Sequence, residues 1–199
     1  MINTEAKIAK ILLETSAIKL SPEKPFKWSS GWNSPIYCDN RTVLSYSHHR
    51  KAIKEMLSAK IAAEFEGVDT IIGVATAGIA MGALVADELS LSYAYCRPEP
   101  KSHGLKRQLE GKVDKDAKIV VLEDLISTGG SSLKVVEYLR AEGYNVMGMA
   151  AIFTYGFQIA DDNFNHADCK YITLGNYASM IDEAVTSGYV QESDLASLA

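Results

Sequence analysis

The sequence predicts an α/β fold built on a mostly parallel, twisted sheet flanked by helices. Short runs of β-branched and other apolar residues alternate along the chain with longer segments in which apolar residues recur at helical spacing. Such alternation is typical of a parallel sheet, because parallel neighbours need a crossover connection. The length of 199 residues suits one domain with a sizeable core, so residues 1–199 are expected to form a single domain.

Helices are predicted where apolar residues share one face and where capping residues mark an end. In the first helix, Ile8, Ile11 and Leu12 form such a face. Gly67 and Gly143 follow two others, at the position where a helix commonly ends in a left-handed residue. The predicted helices span residues 4 to about 20, 47–66, 78–89, 132–142, 157–166 and 177–187.

The predicted strands are short and apolar, as buried parallel strands are. They span residues 70–72, 93–96, 119–122, 145–153 and 171–174. Residues 21–46 are rich in proline, serine and aromatic residues, which predicts short strands and turns. Residues 97–116 lack apolar periodicity, which predicts a long loop.

The composition narrows the classes of function. A net charge of −5 argues against broad nucleic-acid binding, which calls for a basic surface. No apolar run approaches the length of a membrane span, and the N-terminus lacks a signal-peptide pattern. Cys38, Cys96 and Cys169 are scattered without metal-ligand spacing, which suggests reduced thiols. We therefore expect the protein to be cytoplasmic and to bind neither nucleic acid nor a membrane.

Residues 119–131, IVVLEDLISTGGS, carry the strongest functional signal. Glu123 and Asp124 follow a buried strand, at the edge where open α/β sheets bind ligands. Residues 127–131 can turn backbone N–H groups and hydroxyls toward one point, and a predicted helix follows them. A phosphate would bind these amides, and the two carboxylates would accept hydrogen bonds from sugar hydroxyls. The alternative is an ordinary strand–loop–helix connection, which needs neither adjacent acids nor a run of small and hydroxylated residues.

The same segment resembles the phosphoribosyl-pyrophosphate motif of the type I phosphoribosyltransferases. The resemblance implies the type I phosphoribosyltransferase fold, with a small N-terminal hood formed largely by residues 1–45 and a mobile lid loop at about residues 97–116. It also implies that Asp124 takes part in catalysis. The residues of this motif that would bind phosphoribosyl pyrophosphate are Glu123, Asp124, Leu125, Ile126, Ser127, Thr128, Gly129, Gly130 and Ser131.

A second glycine loop, GVATAGI, follows the strand predicted at residues 70–72. Its glycine spacing fits the first half of a P-loop, but Ile79 and Ala80 stand where that motif requires a lysine and a hydroxyl residue. The dinucleotide fingerprint fails as well, which leaves an anion-binding loop or a tight strand–helix turn. The loop resembles the pyrophosphate loop of the same family, which implies a non-proline cis peptide and ligand contacts at Thr76, Ala77 and Gly78.

Positive charge is concentrated in residues 97–112 of an otherwise acidic chain. A solvated charged loop is one interpretation, but long loops in compact domains commonly have a function, such as closing over a site. The pattern R-x-x-x-K-x-H-G at residues 97–104 resembles the catalytic lid of orotate phosphoribosyltransferases, although Pro98 replaces a basic residue of the best-known bacterial pattern. The resemblance implies that Arg97, Lys101 and His103 bind phosphoribosyl pyrophosphate. Lys101 and His103 would be catalytic, and the lid would reach the partner's active site in a homodimer.

The nucleobase is indicated by residues 26–41, FKWSSGWNSPIYCDNR, which resemble the N-terminal F-x-x-x-SG-x-x-SP segment of the orotate enzymes. Tyr37 falls where an aromatic side chain packs on the pyrimidine. Basic residues of some other members are replaced here by Ser29, Ala77 and Tyr155. The resemblance implies orotate contacts at Ser127, Tyr37 and Tyr155.

Together these motifs imply transfer of ribose 5-phosphate from phosphoribosyl pyrophosphate to orotate, giving orotidine 5′-monophosphate and pyrophosphate in de novo UMP synthesis. Mg²⁺ would be carried mainly by the substrate's own oxygens, with no metal cage supplied by the protein. Two other interpretations stay open: a purine phosphoribosyltransferase, and a non-enzymatic regulator that senses the ribosyl donor and binds RNA or DNA. The acidic balance and the presence of Lys101 and His103 argue against the regulator.

Overall fold

A six-stranded sheet lies at the centre of the computed structural model, which describes residues 4–27, 33–99 and 108–198. In these ranges the strands, β1 to β10 in chain order, are Ile18–Leu20, Phe26–Lys27, Asn33–Ser34, Ile36–Cys38, Thr70–Val74, Ser92–Cys96, Leu109–Glu110, Lys118–Ile126, Asn145–Thr154 and Tyr171–Asn176. The helices, α1 to α7, are Thr4–Glu14, Ser47–Glu64, Gly78–Leu89, Gly130–Ala141, Gln158–His166, Tyr177–Thr186 and Leu195–Leu198. Short 3-10 helices span Asn40–Ser45 and Glu192–Asp194.

The central sheet has the strand order β10-β9-β8-β5-β6-β7. The strands from β10 to β6 pair in parallel, and β7 adds to the edge antiparallel to β6. Each parallel connection after β5 passes through a helix, except that the chain between β6 and β8 passes through β7. The predicted α/β fold with a mostly parallel sheet is therefore confirmed.

The sheet separates two apolar layers, and β8 contributes to both. Val120 and Leu122 pack into the layer that contains buried residues of α1, α2, α3 and α6. Ile119 and Val121 pack into the layer that contains buried residues of α4 and α5. All four side chains are fully buried, as expected for a strand whose successive side chains point to opposite faces of a sheet covered on both sides. This packing fixes the strand ends from which the functional loops start.

The N-terminal region differs from the prediction at the end of the first helix. α1 ends at Glu14 and not near residue 20. Ser16 has a left-handed backbone with φ of 55°, which interrupts a right-handed helix. The chain then forms β1, which pairs antiparallel with β4, and Ile18 is fully buried there. The apolar pattern after residue 16 therefore reflects a buried strand.

Two other predicted boundaries were wrong. β8 continues to Ile126, beyond the predicted end at residue 122, because β9 gives it a parallel partner as far as Thr154. β7 lies inside the segment predicted as a loop, because Leu109 and Glu110 pair with β6. The remaining predicted helices and strands of the sheet layer agree with the structure to within two residues at each end.

No helix within the described ranges combines the length and the hydropathy needed to cross a bilayer. The three cysteines are free thiols, of which Cys96 and Cys169 are buried and Cys38 is half-buried.

Candidate functional site

The candidate site lies where β5 and β8 part at the carboxyl edge of the sheet. β8 pairs with β5 only as far as Leu122, opposite Gly73, whereas its pairing with β9 continues to Ile126. On its β5 side the strand is therefore open from Glu123 onward. Diverging strands at this edge form the crevice in which open α/β sheets bind ligands.

Glu123 and Asp124 lie at this opening, but within β8 and not after it as predicted. Glu123 is 7% exposed, and its carboxyl group is held from two directions. Ser132 Oγ donates to Oε2 at 3.1 Å, and the backbone N–H of Asp124 donates to Oε1 at 3.0 Å. Sequence reasoning missed Ser132 as a site residue, because the motif places it in the helix and gives no sign that it turns back to the strand.

The two carboxyl groups influence each other's titration. Burial is the main cause that raises the pKa of Glu123 well above its usual value, and the charge of Asp124 raises it further. Burial also raises the pKa of Asp124, whereas the hydrogen bond with Glu123 and the charge of Arg41 lower it. The pair therefore keeps a proton to higher pH than free carboxyl groups do. A carboxylic acid beside a carboxylate can donate one hydrogen bond and accept others, which suits a pair of sugar hydroxyls.

The loop after β8 presents the N-terminus of α4. Gly129 occupies the N-cap with φ of 79°, and no side chain caps the first amides of the helix. Asn163 Nδ2 donates to the carbonyl of Thr128 at 2.9 Å, which fastens the loop to α5. Uncapped amides at the start of a helix form an anion site. Thr128, Gly130 and Ser131 are exposed beside these amides, as the phosphate interpretation requires.

Two residues of the motif do not offer side chains to the opening. Ile126 is fully buried, and its carbonyl accepts a hydrogen bond from the N–H of Tyr155 at 3.2 Å. Leu125 is half-buried and packs against the core. Their contribution to a ligand site is therefore to hold the strand that carries Asp124 and Ser127.

The second glycine loop lies directly against β8. A Cβ atom on Gly78 would come within 2.4 Å of the carbonyl oxygen of Leu122, and one on Gly73 within 2.6 Å of the carbonyl oxygen of Gly78. The peptide bond between Ala75 and Thr76 is cis, as the family resemblance implies. Ala77 is the N-cap of α3 and gives no side-chain cap. A second uncapped helix N-terminus therefore lies beside the acid pair.

Arg97 follows β6, and its backbone is fixed by hydrogen bonds with Gln108. Its N–H donates to the carbonyl of Gln108 at 3.0 Å, and Gln108 Nε2 donates to the carbonyls of Arg97 and Pro98. The Nε of Arg97 is buried and has no hydrogen-bond partner in the described part of the chain. Lys101 and His103 lie outside the described residues.

Tyr37 in β4 and Tyr155 just after β9 are the two aromatic residues predicted to contact orotate. Tyr37 is 43% exposed, and its ring lies 5.8 Å from that of Phe26. Tyr155 is buried, with ring distances of 5.9 Å to Phe153 and 5.5 Å to Phe157. Burial raises the pKa of Tyr155, with smaller contributions from Cys38 and Asp124, so its hydroxyl is neutral. Tyr37 can offer a ring face to a ligand, whereas Tyr155 is mostly enclosed.

The 3-10 helix after β4 contributes a contact that sequence reasoning missed. Asn40 is 3% exposed, and its Nδ2 donates to the carbonyl of Asp124 at 2.8 Å. Cys38 Sγ in turn contacts Asn40 Oδ1 at 3.3 Å. Because Asp124 has no β5 partner at this point, Asn40 satisfies a carbonyl that the sheet leaves open. No local signal in the sequence identifies a contact over 84 residues.

No group of three or more His, Cys, Asp or Glu side chains among the described residues is placed to hold a metal ion. At the opening, the hard oxygen donors are those of Glu123 and Asp124. Such donors suit Mg²⁺ bound through one or two carboxylates together with substrate phosphates.

Comparison with known proteins is consistent with this geometry. Residues 43–187 match the family model described as "Phosphoribosyl transferase domain". The chain is 51% identical to an orotate phosphoribosyltransferase from Cytophaga hutchinsonii over 99% of this chain and 94% of that protein. It is 50% identical to one from Bacteroides thetaiotaomicron over 100% of this chain and 93% of that protein.

Solved structures give the same fold. The crystal structure of orotate phosphoribosyltransferase from Aeropyrum pernix superposes with a TM-score of 0.79 at 28% identity, covering 92% of this chain and 99% of that one. The structure of Leishmania donovani UMP synthase gives a TM-score of 0.82 at 21% identity, and the match covers 98% of this chain and 41% of that one. An adenine phosphoribosyl transferase from Trypanosoma brucei shares the fold with a TM-score of 0.64 at 16% identity, covering 85% of this chain and 80% of that one.

Proposed function

This chain belongs to the phosphoribosyltransferase family and, within it, to the orotate phosphoribosyltransferases, and we propose that it transfers the ribose 5-phosphate of phosphoribosyl pyrophosphate to orotate. The products are orotidine 5′-monophosphate and pyrophosphate, which makes the chain a glycosyltransferase of pyrimidine biosynthesis. The observation that carries the proposal is the acid pair of β8 between the uncapped N-termini of α3 and α4. The carboxyl groups that can bind a ribose thus lie between two helix N-termini, each of which favours an anion.

The ribosyl donor binds along β8 and the loop that follows it. The 5′-phosphate accepts hydrogen bonds from the amides and hydroxyls of residues 128–131 at the start of α4. Asp124 accepts a hydrogen bond from one ribose hydroxyl, and the carboxyl group of Glu123 bonds the other. Ser132 and Asn40 support these two residues through the contacts at 3.1 Å and 2.8 Å.

The pyrophosphate group binds at the N-terminus of α3. Thr76, Ala77 and Gly78 supply backbone amides there, and the guanidinium of Arg97, whose Nε has no partner among the described residues, suits an anionic oxygen. Lys101 and His103 neutralise and protonate the departing pyrophosphate when the lid closes, by the family resemblance. Charge placed where it develops in the transition state lowers the barrier most.

In the reaction, a ring nitrogen of orotate loses its proton and forms a bond to C1′ of the ribose, while the bond from C1′ to the pyrophosphate oxygen breaks and the pyrophosphate leaves with its electron pair. The negative charge of orotate at neutral pH is on its carboxylate, and the proton released from the ring nitrogen balances the proton that the departing pyrophosphate takes up. The ribosyl group passes through an oxocarbenium-like state, and Asp124 stabilises positive charge on the sugar as glycosidase carboxylates do. Ser127, Tyr37 and Tyr155 form the orotate side of the site, and the exposed ring of Tyr37 gives the base a face to pack on.

Mg²⁺ fits the carboxylate and phosphate oxygens that the site would bring together. When bound, the ion offsets phosphate charge in the donor and in the departing pyrophosphate. The role of the protein is to orient those phosphates through residues 76–78 and 128–131 and to keep Asp124 in place beside them.

The proposed working unit is a cytoplasmic homodimer in which each lid reaches the partner's site. The support is the similarity of residues 97–104 to the lid of the family, together with the position of Arg97 at the end of β6 on the same sheet edge as the acid pair. The net charge of −5 argues against a nucleic-acid partner.

A substrate panel tests the function. The wild-type chain is incubated with phosphoribosyl pyrophosphate and Mg²⁺, and the ultraviolet absorbance of orotate, adenine, guanine or hypoxanthine is followed. We expect consumption of orotate and no consumption of the purines. Turnover of a purine in place of orotate would establish a purine enzyme, and donor binding without turnover of any base would favour the regulator.

A further inference from the structure

The 3-10 helix Asn40–Ser45, which contacts β8 through Asn40, carries a charged side chain to which the proposed mechanism gives no role. Arg41 lies in the first turn of the 3-10 helix, next to the buried Asn40 whose amide bonds the carbonyl of Asp124 at 2.8 Å. The backbone before Arg41 is thus tied directly to the strand that carries the acid pair. The arginine side chain is 57% exposed, so a ligand can reach it.

The guanidinium of Arg41 is held in one orientation. Its Nε donates to Asp39 Oδ1 at 2.7 Å, and its Nη2 donates to Asp39 Oδ2 at 2.8 Å. This bidentate fork leaves the N–H groups of Nη1 available to a second acceptor. An arginine that a carboxylate has already oriented loses less freedom when it binds a further anion.

Arg41 lies between the ribose side and the base side of the site. Residues 37 and 39 share one face of the extended segment that continues β4, so the fork on Asp39 is on the same side as the exposed ring of Tyr37. The hydrogen bond with Asp39 is the main cause that raises the pKa of Arg41, and the charges of Asp124 and Tyr37 add to it. Burial raises the pKa of Asp124, and the charge of Arg41 partly offsets that rise. These effects agree with the position of Arg41 next to Asn40, whose side chain bonds the carbonyl of Asp124.

We propose that Arg41 binds the carboxylate of orotate and thereby selects orotate over pyrimidines that lack a carboxylate. The inference rests on the proposed function, because it concerns the base that the same site accepts. Asp39 and Asp124 place carboxylates close to each other near the opening, and their negative charge disfavours an anionic base there. A fixed guanidinium at the base side offsets that repulsion and gives the carboxylate a charge-assisted partner.

Two nucleotides that differ only in this carboxylate provide the test. Orotidine 5′-monophosphate and uridine 5′-monophosphate share the ribose and the phosphate, so the phosphate loop and the acid pair bind both alike. Their dissociation constants are measured by calorimetry for the wild type, Arg41→Gln, Arg41→Lys and Arg140→Gln. Arg140→Gln is the matched control, since it removes a guanidinium from the far end of α4, where Arg140 bonds the carbonyls of Ala167 and Asp168.

We expect Arg41→Gln to raise the dissociation constant of orotidine 5′-monophosphate roughly 10- to 100-fold, which is the range of one charge-assisted hydrogen bond. The dissociation constant of uridine 5′-monophosphate should not change. Arg41→Lys should retain part of the preference for orotidine 5′-monophosphate over uridine 5′-monophosphate, and Arg140→Gln should retain all of that preference. In turnover, Arg41→Gln should raise KM for orotate without raising KM for phosphoribosyl pyrophosphate.

An equal loss of affinity for both nucleotides would mean that Arg41 only supports the fold of the site, and would overturn the inference. If neither dissociation constant changed in Arg41→Gln, the inference would be overturned as well. Both results are distinct from failure of the proposed function, in which the wild type would bind neither nucleotide and would consume no orotate.

Discussion

Among single side chains, the proposed chemistry depends most on Asp124. Its backbone is anchored twice, since its N–H donates to Glu123 Oε1 at 3.0 Å and its carbonyl accepts from Asn40 Nδ2 at 2.8 Å. The backbone that carries the carboxylate therefore has a fixed position before any substrate binds. A group placed in advance contributes more to the transition state than one that must be ordered during the reaction.

Replacing Asp124 by asparagine keeps the shape of the side chain and removes its charge. We expect kcat/KM to fall at least about 10- to 100-fold, because a charge-assisted contact to the ribosyl group contributes about 1.5–3 kcal/mol. Steady-state kinetics with orotate measure this loss, and Tm should remain close to that of the wild type. Asp116→Asn is the control, since Asp116 is exposed just before β8 begins, at the opposite edge of the sheet. Near-normal kcat/KM in Asp124→Asn would remove Asp124 from the mechanism.

Glu123 gives a prediction about stability. Because burial raises its pKa well above 4.5 in the folded chain, its contribution to the free energy of unfolding is full below pH 4.5. That contribution is lost as the pH rises through the folded-state pKa. Glu123→Gln lacks the titrating group, so its stability relative to the wild type should increase over this interval. Urea unfolding of both chains from about pH 4 to about pH 8 provides the measurement, and parallel pH profiles would contradict the assigned pKa shift.

Among the elements, the loop that connects β8 to α4 is the most constrained. Gly129 has φ of 79°, and a Cβ atom there would lie 2.6 Å from Cε2 of Phe164. Phe164 is 1% exposed and packs in the core layer of α4 and α5, so it cannot move away easily. The loop that offers amides to the phosphate is thus shaped by a buried ring on the next helix.

Gly129→Ala and Gly143→Ala separate the two constraints. Gly143 has φ of 81°, but apart from its chain neighbours no atom of the described residues lies within 4 Å of the position that a methyl group would take there. Alanine at this position should therefore lower the free energy of unfolding only by the strain of a left-handed backbone, about 1 kcal/mol. Gly129→Ala should cost about 1–3 kcal/mol more, since the methyl group meets Phe164. Denaturant unfolding compares the variants, and calorimetry should show weaker binding of ribose 5-phosphate for Gly129→Ala alone. Equal stability of the two variants would contradict the proposed steric role of Phe164.

The sequence predicted most elements, because each buried strand and each amphipathic helix leaves a local pattern. It also predicted the adjacency of the acid pair and the phosphate loop, which are continuous in the chain. It did not predict that α1 ends before Ser16, since an apolar residue in a strand and one on a helix face look alike over a few positions. The contact of Asn40 with Asp124 was also missed, because it depends on tertiary packing across 84 residues.

For the assembled protein, the central structural prediction is that two chains share each active site. Lys101→Ala and Asp124→Asn chains should each be nearly inactive. The first lacks the positive charge of the lid, and the second lacks the carboxylate that is proposed to bind the ribose. In a two-fold mixed dimer, a lid that acts in trans leaves both lesions in one site and none in the other. Random re-pairing makes about half of the dimers mixed, so about a quarter of wild-type activity should return.

The controls for this experiment are each variant alone and a mixture in which subunit exchange is monitored with a label. If the lid acts within its own chain, every site keeps one lesion and the activity of the mixture stays at background. Background activity despite proven exchange would therefore contradict the shared-site arrangement while leaving the substrates unaffected.

The group transfer itself can be measured most directly by ³¹P NMR of the phosphorus compounds in a single mixture. The wild-type chain is incubated with phosphoribosyl pyrophosphate, Mg²⁺ and a limiting amount of orotate. We expect the donor signals to decrease, and pyrophosphate and a new phosphate monoester to appear in amounts equal to the orotate consumed. Without orotate the donor should persist. Donor loss that does not depend on orotate, or an unchanged donor in its presence, would contradict the proposed transfer.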